Sequence, residues 1–422
     1  MSKKKTYTVG ETFVGAGGTH VGFKEAGFKT LFVNDINKDC LKTLIYNNPE
    51  LKESKVYDCS ILDLDGDKIK TDLKNESLDV LFGGIVCKGF SLAGEKSPND
   101  ERNYFYRKQI GLVQTLRPKI SVIENVPGMK NAKVLDSETP EELKEEINWL
   151  WKELNNLKGI KAANRKINAN NSELDKRSNQ LRARKESIIK ILTDSGLLIT
   201  VLEDIQKRYK SIGYKVYYQT LNAAWYGSGT KRNRLIIVAI REDLKGDYEF
   251  PKPTHYTKGI GNLPKDWQEH VIGLPKCRTV GECLEDIDYS NKEDIDNLPM
   301  NHNSKTVERF KYIPEGESIA NHIDSLPDHL KISKFYSRGN TMRLARDIPS
   351  PTLVPGHSNF PVHPTEHRSI TVREAAVISG FPMDYKFFGN HSKRCEHVGN
   401  AVPPHLGMAI AKSCKVYLNK NN

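Results

Sequence analysis

Four apolar runs in the first third of the chain each lead to a residue that carries chemistry, and that repetition constrains the fold more than any single motif. Leu31-Phe32-Val33 leads to Asp35, and Val56-Tyr57 leads to Asp58. Leu78-Asp79-Val80-Leu81-Phe82 leads into Gly83-Gly84-Ile85-Val86-Cys87-Lys88-Gly89-Phe90-Ser91, and Ile120-Ser121-Val122-Ile123 leads to Glu124. Helical stretches at residues 21–26, closed by Gly27, and at about 39–46 fall between the early runs. Strands alternating with helices predict an α/β fold with an open parallel sheet. Ligands of such sheets sit beyond the carboxyl ends of the strands. Asp35, Asp58, Cys87 and Glu124 are all expected at such ends, and that shared placement weighs more than any one of them.

Each residue also has a plain structural reading. Glu11-Thr12-Phe13-Val14 reads as a strand entering Gly15-Ala16-Gly17-Gly18. Such glycines allow positive φ and close backbone approach, which suits a nucleotide or an ordinary turn equally. Asp35 suits ribose hydroxyls, as acids at a second strand end do, or a helix cap. Cys87 on a glycine-flanked turn suits a nucleophile or a buried thiol. Glu124 could form a surface ion pair, and Arg232 and Arg234 could face solvent before the buried strand Leu235-Ile236-Ile237-Val238-Ala239-Ile240. Jointly the structural readings weaken, because several charged groups at buried strand ends need a partner or a function.

Composition bounds the partners. The 422 residues include 64 basic and 53 acidic side chains, a net charge of +11 that suits nucleic acid. Seven dispersed cysteines include no CxxC pair, which argues for reduced thiols rather than a disulfide frame. Cys277 and Cys283 lack further ligands at zinc spacing, so no metal site is expected. No apolar signal core or membrane-length run is present, so a cytoplasmic location is expected.

The chain divides unevenly. Leu143, Ile147, Leu150, Leu154 and Leu157 recur at helical spacing until Gly159, which is expected to interrupt the helix. A second charged helix follows at residues 174–192. Within residues 131–195 this pair reads as a solvated insertion in preference to a DNA arm or a dimer contact. Tyr214-Lys215-Val216-Tyr217-Tyr218-Gln219 resumes the sheet, and Pro251 and Pro253 mark a boundary. The predicted units are residues 1–255, a loop-rich second domain at 256–340, and a returning segment at 341–422. Helices are expected at residues 371–378 and 403–416.

Taken in order, Phe13-Val14-Gly15-Ala16-Gly17-Gly18, the Cys87 stretch, Glu124-Asn125-Val126, Arg232 with Arg234, and Gly399-Asn400-Ala401-Val402-Pro403-Pro404 resemble the DNA cytosine-5 methyltransferase family. The resemblance covers most of residues 7–255 and 341–417. It implies a Rossmann-like sheet domain binding S-adenosyl-L-methionine, a smaller target-recognition domain at 256–340, and double-stranded DNA as substrate. Cys87 would attack cytosine C6, Glu124 would contact N3 and the exocyclic amine, Arg232 would contact O2 and align Glu124 or the thiol, and Arg234 would stand behind. Phe13, Gly15, Gly17, Asp35, Ile36, Asp58, Asn400 and Val402 would line the cofactor site, with the chain's two ends meeting there. Lys88, Ser91 and Arg102, on the segment expected to close over DNA, and Lys331, Lys334, Tyr336 and Arg338, in a basic stretch running to Arg343, would touch the nucleic acid. The target base must be flipped out of the duplex. Two departures stand out: Val86-Cys87-Lys88 replaces the family's Pro-Cys-Gln, and Thr230 replaces a glutamine ahead of the arginines. The resemblance further implies a monomer in a bacterial, nucleoid-associated setting, with a restriction endonuclease as genetic partner. An RNA cytosine-5 methyltransferase and a catalytically impaired DNA-binding relative are the alternatives.

Overall fold

The computed structural model describes residues 5–74, 76–86, 97–333, 341–356 and 360–421, without the side chains of residues 101 and 102. Cys87, Lys88, Ser91, Lys334, Tyr336 and Arg338 lie outside the described residues, as does the Arg102 side chain. Strand and helix alternate through β1 (Thr8–Thr12), α1 (Gly18–Glu25), β2 (Lys29–Asn34), α2 (Lys38–Asn47), β3 (Lys55–Tyr57), α3 (Gly66–Asp72), β4 (Val80–Gly84), α4 (Phe105–Leu116) and β5 (Ile120–Asn125). Next come β6 (Lys133–Leu135), the long helices α5 (Glu141–Lys166) and α6 (Ser172–Asp194), β7 (Leu198–Thr200), α7 (Val201–Ser211), β8 (Tyr214–Asn222) and β9 (Asn233–Arg241). The remaining helices are α8 (Val280–Glu285), α9 (Ser304–Phe310), α10 (Val372–Ser379), α11 (His391–Asn400) and α12 (Pro404–Lys420).

Seven strands form one sheet in the order β3-β2-β1-β4-β5-β9-β8. The pairs among β1 to β5 are parallel, as the alternation predicts. β9 is antiparallel to both β5 and β8, which departs from a wholly parallel sheet. The connection from β8 to β9 is too short for the crossover that parallel neighbours need. Both faces of the sheet are covered. Val80, Phe82, Val122, Ile236 and Val238 belong to one core cluster, and Leu81, Ile123, Leu235, Ile237 and Ala239 to the other. Side chains alternate across a strand, so a strand buried on both faces shows no polar alternation in sequence.

β1 begins and ends earlier than the run at Glu11–Val14 suggests. Gly10 leaves the space that Phe32 fills: a Cβ at residue 10 would lie 2.2 Å from its ring. The strand stops before Phe13, whose φ of 52° is left-handed. At the other end, α12 lies against α1 at backbone distance. A Cβ on Gly18 would sit 2.0 Å from the Val402 carbonyl oxygen, and one on Gly22 would sit 2.2 Å from the Met408 nitrogen. Only glycine permits this approach, and it brings the two ends of the chain together.

One further expectation is corrected by packing. α5 runs unbroken through Gly159. Glycine lowers helix stability by about 1 kcal/mol relative to alanine but keeps its N–H in the ladder. The face that carries Ile147, Leu150 and Leu154 packs against Ile188 and Leu192 of α6. Buried residues on the far side of residue 256 share clusters with the sheet domain. Ile260, Trp267 and Cys277 pack in the cluster under β4 and β9, and Val280 and Cys283 pack with α10. A separate small core comprises Phe310, Ile313, Ile319, Leu326 and Leu330, with Val362 from the returning segment.

Beneath the β1–α1 turn is a buried charge network. His20 Nδ1 lies 2.7 Å from Glu11 Oε1, and both side chains are essentially inaccessible. Burial opposes charge on His20, but Glu11 and the nearby Glu50 outweigh it and push its pKa up to about 9. A histidine with a raised folded pKa contributes stability that is complete below its unfolded value near 6.5 and lost as pH rises through about 9. Wild-type stability should therefore fall between pH 6.5 and 9, with an upper bound of about 3 kcal/mol from a shift of this size. Denaturant titrations of wild type and His20→Asn across that range check this. The variant should be less stable at the acidic end of the range and show a flatter pH profile.

Candidate active site

The carboxyl ends of β1, β2 and β3 form one rim. Three residues at the tip of β1 have left-handed backbone: Phe13, Gly15 with φ 57°, and Gly17 with φ 95°. A side chain at residue 17 would collide with Leu44 and the Tyr385 hydroxyl. That hydroxyl donates to the Ala16 carbonyl at 2.6 Å, so the returning segment holds the turn from outside. The Asp35 carboxylate accepts from the Gly15 N–H and the Asn37 N–H, each at 2.8 Å. It thus ties the tip of β2 to the glycine turn. Asn37, not Asp35, caps α2. Burial raises the Asp35 pKa against the lowering effect of these backbone donors.

Beside Asp35, Ile36 is 68% exposed, an unusual degree for a large apolar side chain. Asp58, beyond β3, is also exposed and lies 3.6 Å from Lys38 Nζ. A carboxylate anchored to the turn, an uncovered apolar side chain and a second exposed carboxylate stand along one edge. These acceptors and the apolar side chain suit a ribose diol beside a flat nitrogenous ring, and so fit an adenosyl group. Val402 is buried against Gly18, while Asn400, at the end of α11, is exposed.

The second half of the site lies at the ends of β4, β5 and β9. In the β4–β5 ladder Gly84 is the direct partner of Glu124, and in the β5–β9 ladder Glu124 faces Ile236. The Asn125 side-chain amide donates to the Ile85 carbonyl at 3.0 Å. It thereby holds the chain two residues before Cys87. Asn125 lies in the Glu-Asn-Val motif, yet sequence reasoning assigned it no role. Gln109 was also missed: it is buried, accepts from the Thr12 hydroxyl at 2.7 Å and packs on Gly83.

Glu124 and Arg234 form a buried ion pair, Nε to Oε1 2.6 Å. Burial raises the Glu124 pKa, while Arg234 and then Arg232 draw it down; the net direction is up. Arg234, expected to stand behind, is the arginine that pairs with Glu124. Arg232 donates to the carbonyls of Gly399 at 2.6 Å, Asn400 at 3.1 Å and Leu353 at 3.3 Å. It is a staple between the strand entry, the residue 353 segment and the C-terminal motif. The difference in partners follows from register: residue 232 precedes β9 beside the bridge from Thr230 to Ser350, whereas Arg234 lies within the ladder. Arg343 is likewise turned inward, donating to the carbonyls of Phe310 and Ile313 at 2.6 Å each, and is not part of an exposed basic stretch. Lys331 is exposed and pairs with Asp328 at 2.6 Å.

Among the described residues, no cluster of three or more His, Cys, Asp or Glu side chains could hold a metal ion. No described helix is long and apolar enough to cross a membrane.

Comparison with known proteins finds likenesses over most of the chain. A family model described as C-5 cytosine-specific DNA methylase matches residues 7–150 and 191–416. The match runs through 256–340 without a break, although the resemblance read from the motifs weakens there. The Type II methyltransferase M.Eco47II of Escherichia coli is 27% identical over 99% of this chain and 80% of its own length. The Type II methyltransferase M.Sau96I of Staphylococcus aureus is 27% identical over 100% and 79%. Among solved structures, a candidate DNA modification methyltransferase encoded within an E. coli prophage superposes with a TM-score of 0.60 at 21% identity, covering 98% of this chain and 100% of that one.

Proposed function

The chain belongs to the C-5 cytosine-specific DNA methylase family, and from that premise we propose how its own residues divide the work. The enzyme transfers a methyl group from S-adenosyl-L-methionine to C5 of cytosine in DNA, through a covalent cysteine intermediate. When bound, S-adenosylmethionine supplies an electrophilic methyl group on a sulfonium. The rim of Phe13, Gly15, Gly17, Asp35, Ile36, Asp58, Asn400 and Val402 holds it: Asp35 takes the ribose hydroxyls, Ile36 lies against the adenine face and Asp58 meets its edge.

Cytosine C5 is a poor nucleophile until C6 carries an added group. Cys87 is the thiol that adds there, because a thiolate is nucleophilic near neutral pH. The S–C6 bond forms, C5 becomes enamine-like and takes the methyl, the C5 proton leaves to a base, and the S–C6 bond breaks. Glu124 meets N3 and the exocyclic amine, and its raised pKa favours the protonated carboxyl that N3 requires. Arg234 orients Glu124 and reaches O2; Arg232 is a positioning residue for the C-terminal motif. The observation that carries this reading is the buried Glu124–Arg234 pair directly across the ladder from Gly84, three residues before Cys87. A buried ion pair is weak evidence for stability, so one at a strand end argues for function.

Lys88, Ser91, Arg102, Lys331, Lys334, Tyr336 and Arg338 serve as DNA contacts, and the small core at 310–330 carries the target-reading segment. The protein acts as a monomer in the cytoplasm, beside a restriction endonuclease of the same target. Bisulfite sequencing of plasmid DNA treated with purified protein and S-adenosylmethionine tests the function. Protected cytosines should recur at one position of a short repeated sequence; methylation of RNA alone would refute duplex specificity.

Asp35→Ala should weaken S-adenosylmethionine binding about tenfold or more, the usual cost of losing hydrogen bonds to a charged acceptor, and leave DNA affinity within about twofold. Calorimetry on the cofactor and a gel-shift titration supply the two values. Equal loss in both would assign Asp35 to general folding.

A further inference from the structure

The helical hairpin α5–α6 lies where the family match breaks, at residues 151–190. Its two halves differ. The half nearer the sheet is held by Leu135, Ile147, Leu150, Trp151, Leu154, Ile188 and Leu192. Beyond Leu157 the helices have little apolar packing, and Ile160 and Ile167 are 40% and 75% exposed. The chain nevertheless continues to Lys166 before turning, so α5 extends about 39 Å in all.

That distal half is strongly basic. Residues 158–185 contain nine Lys or Arg and two Asp or Glu, against +11 for the whole chain. Lys161 pairs with Asp175, Arg177 with Glu153 and Arg184 with Glu146. Lys158, Arg165, Lys166 and Arg182 are exposed and have no ion pair among the described residues. A solvated insertion needs no such bias of sign, since mixed charges serve solubility better. The placement points the same way. In the chain the hairpin follows β6, the next strand after β5 and its Glu124-Asn125 tip. Its first helix also touches the segment that follows the Cys87 stretch: the Asn99 side-chain amide donates to Asn148 Oδ1 at 3.0 Å.

We propose that the hairpin is an accessory arm that grips the phosphate backbone of duplex DNA beside the catalytic cleft, through Lys158, Arg165, Lys166 and Arg182. This rests on the duplex-DNA reading above. The arm contributes affinity independent of sequence, because phosphate contacts position a protein without reading bases. Neutralising n phosphates sets the slope of log K against log salt at about −0.9n. The slope therefore measures how many phosphates the arm neutralises.

The test uses the full-length protein and a random-sequence duplex of about 40 base pairs, long enough for cleft and arm together, so no recognition sequence is needed. Affinity is measured from low to moderate salt for wild type and for the quadruple variant Lys158→Gln, Arg165→Gln, Lys166→Gln, Arg182→Gln. All four positions are exposed, so folding is preserved and is checked by circular dichroism. A second variant replaces residues 156–180 with a short Gly-Ser link and keeps the packed half. Both should bind on the order of tenfold more weakly, with the slope reduced by about 0.9 for each phosphate no longer neutralised. The turnover number on plasmid at saturating DNA should stay within about twofold. An unchanged slope and affinity in the quadruple variant overturn the proposal. So does loss of self-association in sedimentation with the slope intact, which would make the arm a dimer interface. Wild type that neither binds the duplex nor methylates plasmid would fault the duplex-DNA reading instead.

Discussion

Cys87→Ser is expected to lower single-turnover methyl transfer by a factor on the order of 10⁴ or more, the scale seen when an enzyme loses its nucleophile. A serine hydroxyl has no anion available near neutral pH, whereas a thiol with an ordinary pKa near 8.5 already presents a few per cent as thiolate. S-adenosylmethionine binding should hold within about twofold, because the cofactor rim is built from the tips of β1, β2 and β3 and from the C-terminal motif. Rapid-quench methyl transfer and calorimetry on the same preparation provide both readings. Near-native turnover would remove Cys87 from the mechanism. Parallel loss of cofactor binding would instead indicate a folding defect.

Glu124→Gln is expected to lower the single-turnover rate by about a hundredfold or more, within the range for a lost acid–base group. The amide keeps the shape of the side chain and can still meet Arg234, so the fold should survive. It cannot hold or deliver a proton at cytosine N3. The pH profile separates this from a packing effect. Burial raises the Glu124 pKa, so the protonated form reaches closer to neutrality than for an ordinary glutamate, and it is lost as pH rises through that value. Its loss should bend the wild-type rate downward on the alkaline side, against the gain from forming Cys87 thiolate. Glu124→Gln should retain the thiolate limb and lose the bend. Arg232→Ala offers the contrast. Its guanidinium holds three carbonyls and also draws the Glu124 pKa down, so its loss should lower thermal stability and cofactor affinity and move the bend to higher pH without abolishing it.

Sequence pattern was informative where one local rule decided the outcome. β2 and β5 were legible because their apolar runs end at polar tips, β4 because its run ends at a glycine pair, and β9 because it is apolar on both faces. The closeness of the two chain ends was legible only through the family's last motif, yet its cause is local: Gly18 and Gly22 admit the Val402 and Met408 backbone. What pattern could not carry was direction and register. Nothing in the run at Leu235 announces that β9 is antiparallel, since that follows from the length of the turn before it. The order of Arg232 and Arg234 could not be read either. Two residues apart, both project to the same side of an ideal strand, but only residue 234 lies within β9. The basic stretch before Pro349 misled for a related reason. Arg343 looks like its neighbours in sequence, but it spends its donors on buried carbonyls that converge from residues 310–313 and 363–366. The hairpin was visible as two helices, but the bond from Asn99 to Asn148, which ties its first helix to the residues after the Cys87 stretch, is a tertiary fact.

The central claim is a covalent bond from Cys87 to C6 of a cytosine in DNA. Duplex DNA in which cytosine is replaced by 5-fluorocytosine tests it most directly. After addition at C6 and methylation at C5, the adduct can release the thiol only by losing the C5 substituent as a cation, and fluorine does not leave so. The account predicts a protein–DNA adduct that resists denaturation, forms only with S-adenosylmethionine present, and yields on digestion a single modified peptide containing Cys87. Absence of an adduct from protein that methylates the unsubstituted duplex, or attachment through any residue other than Cys87, would contradict it.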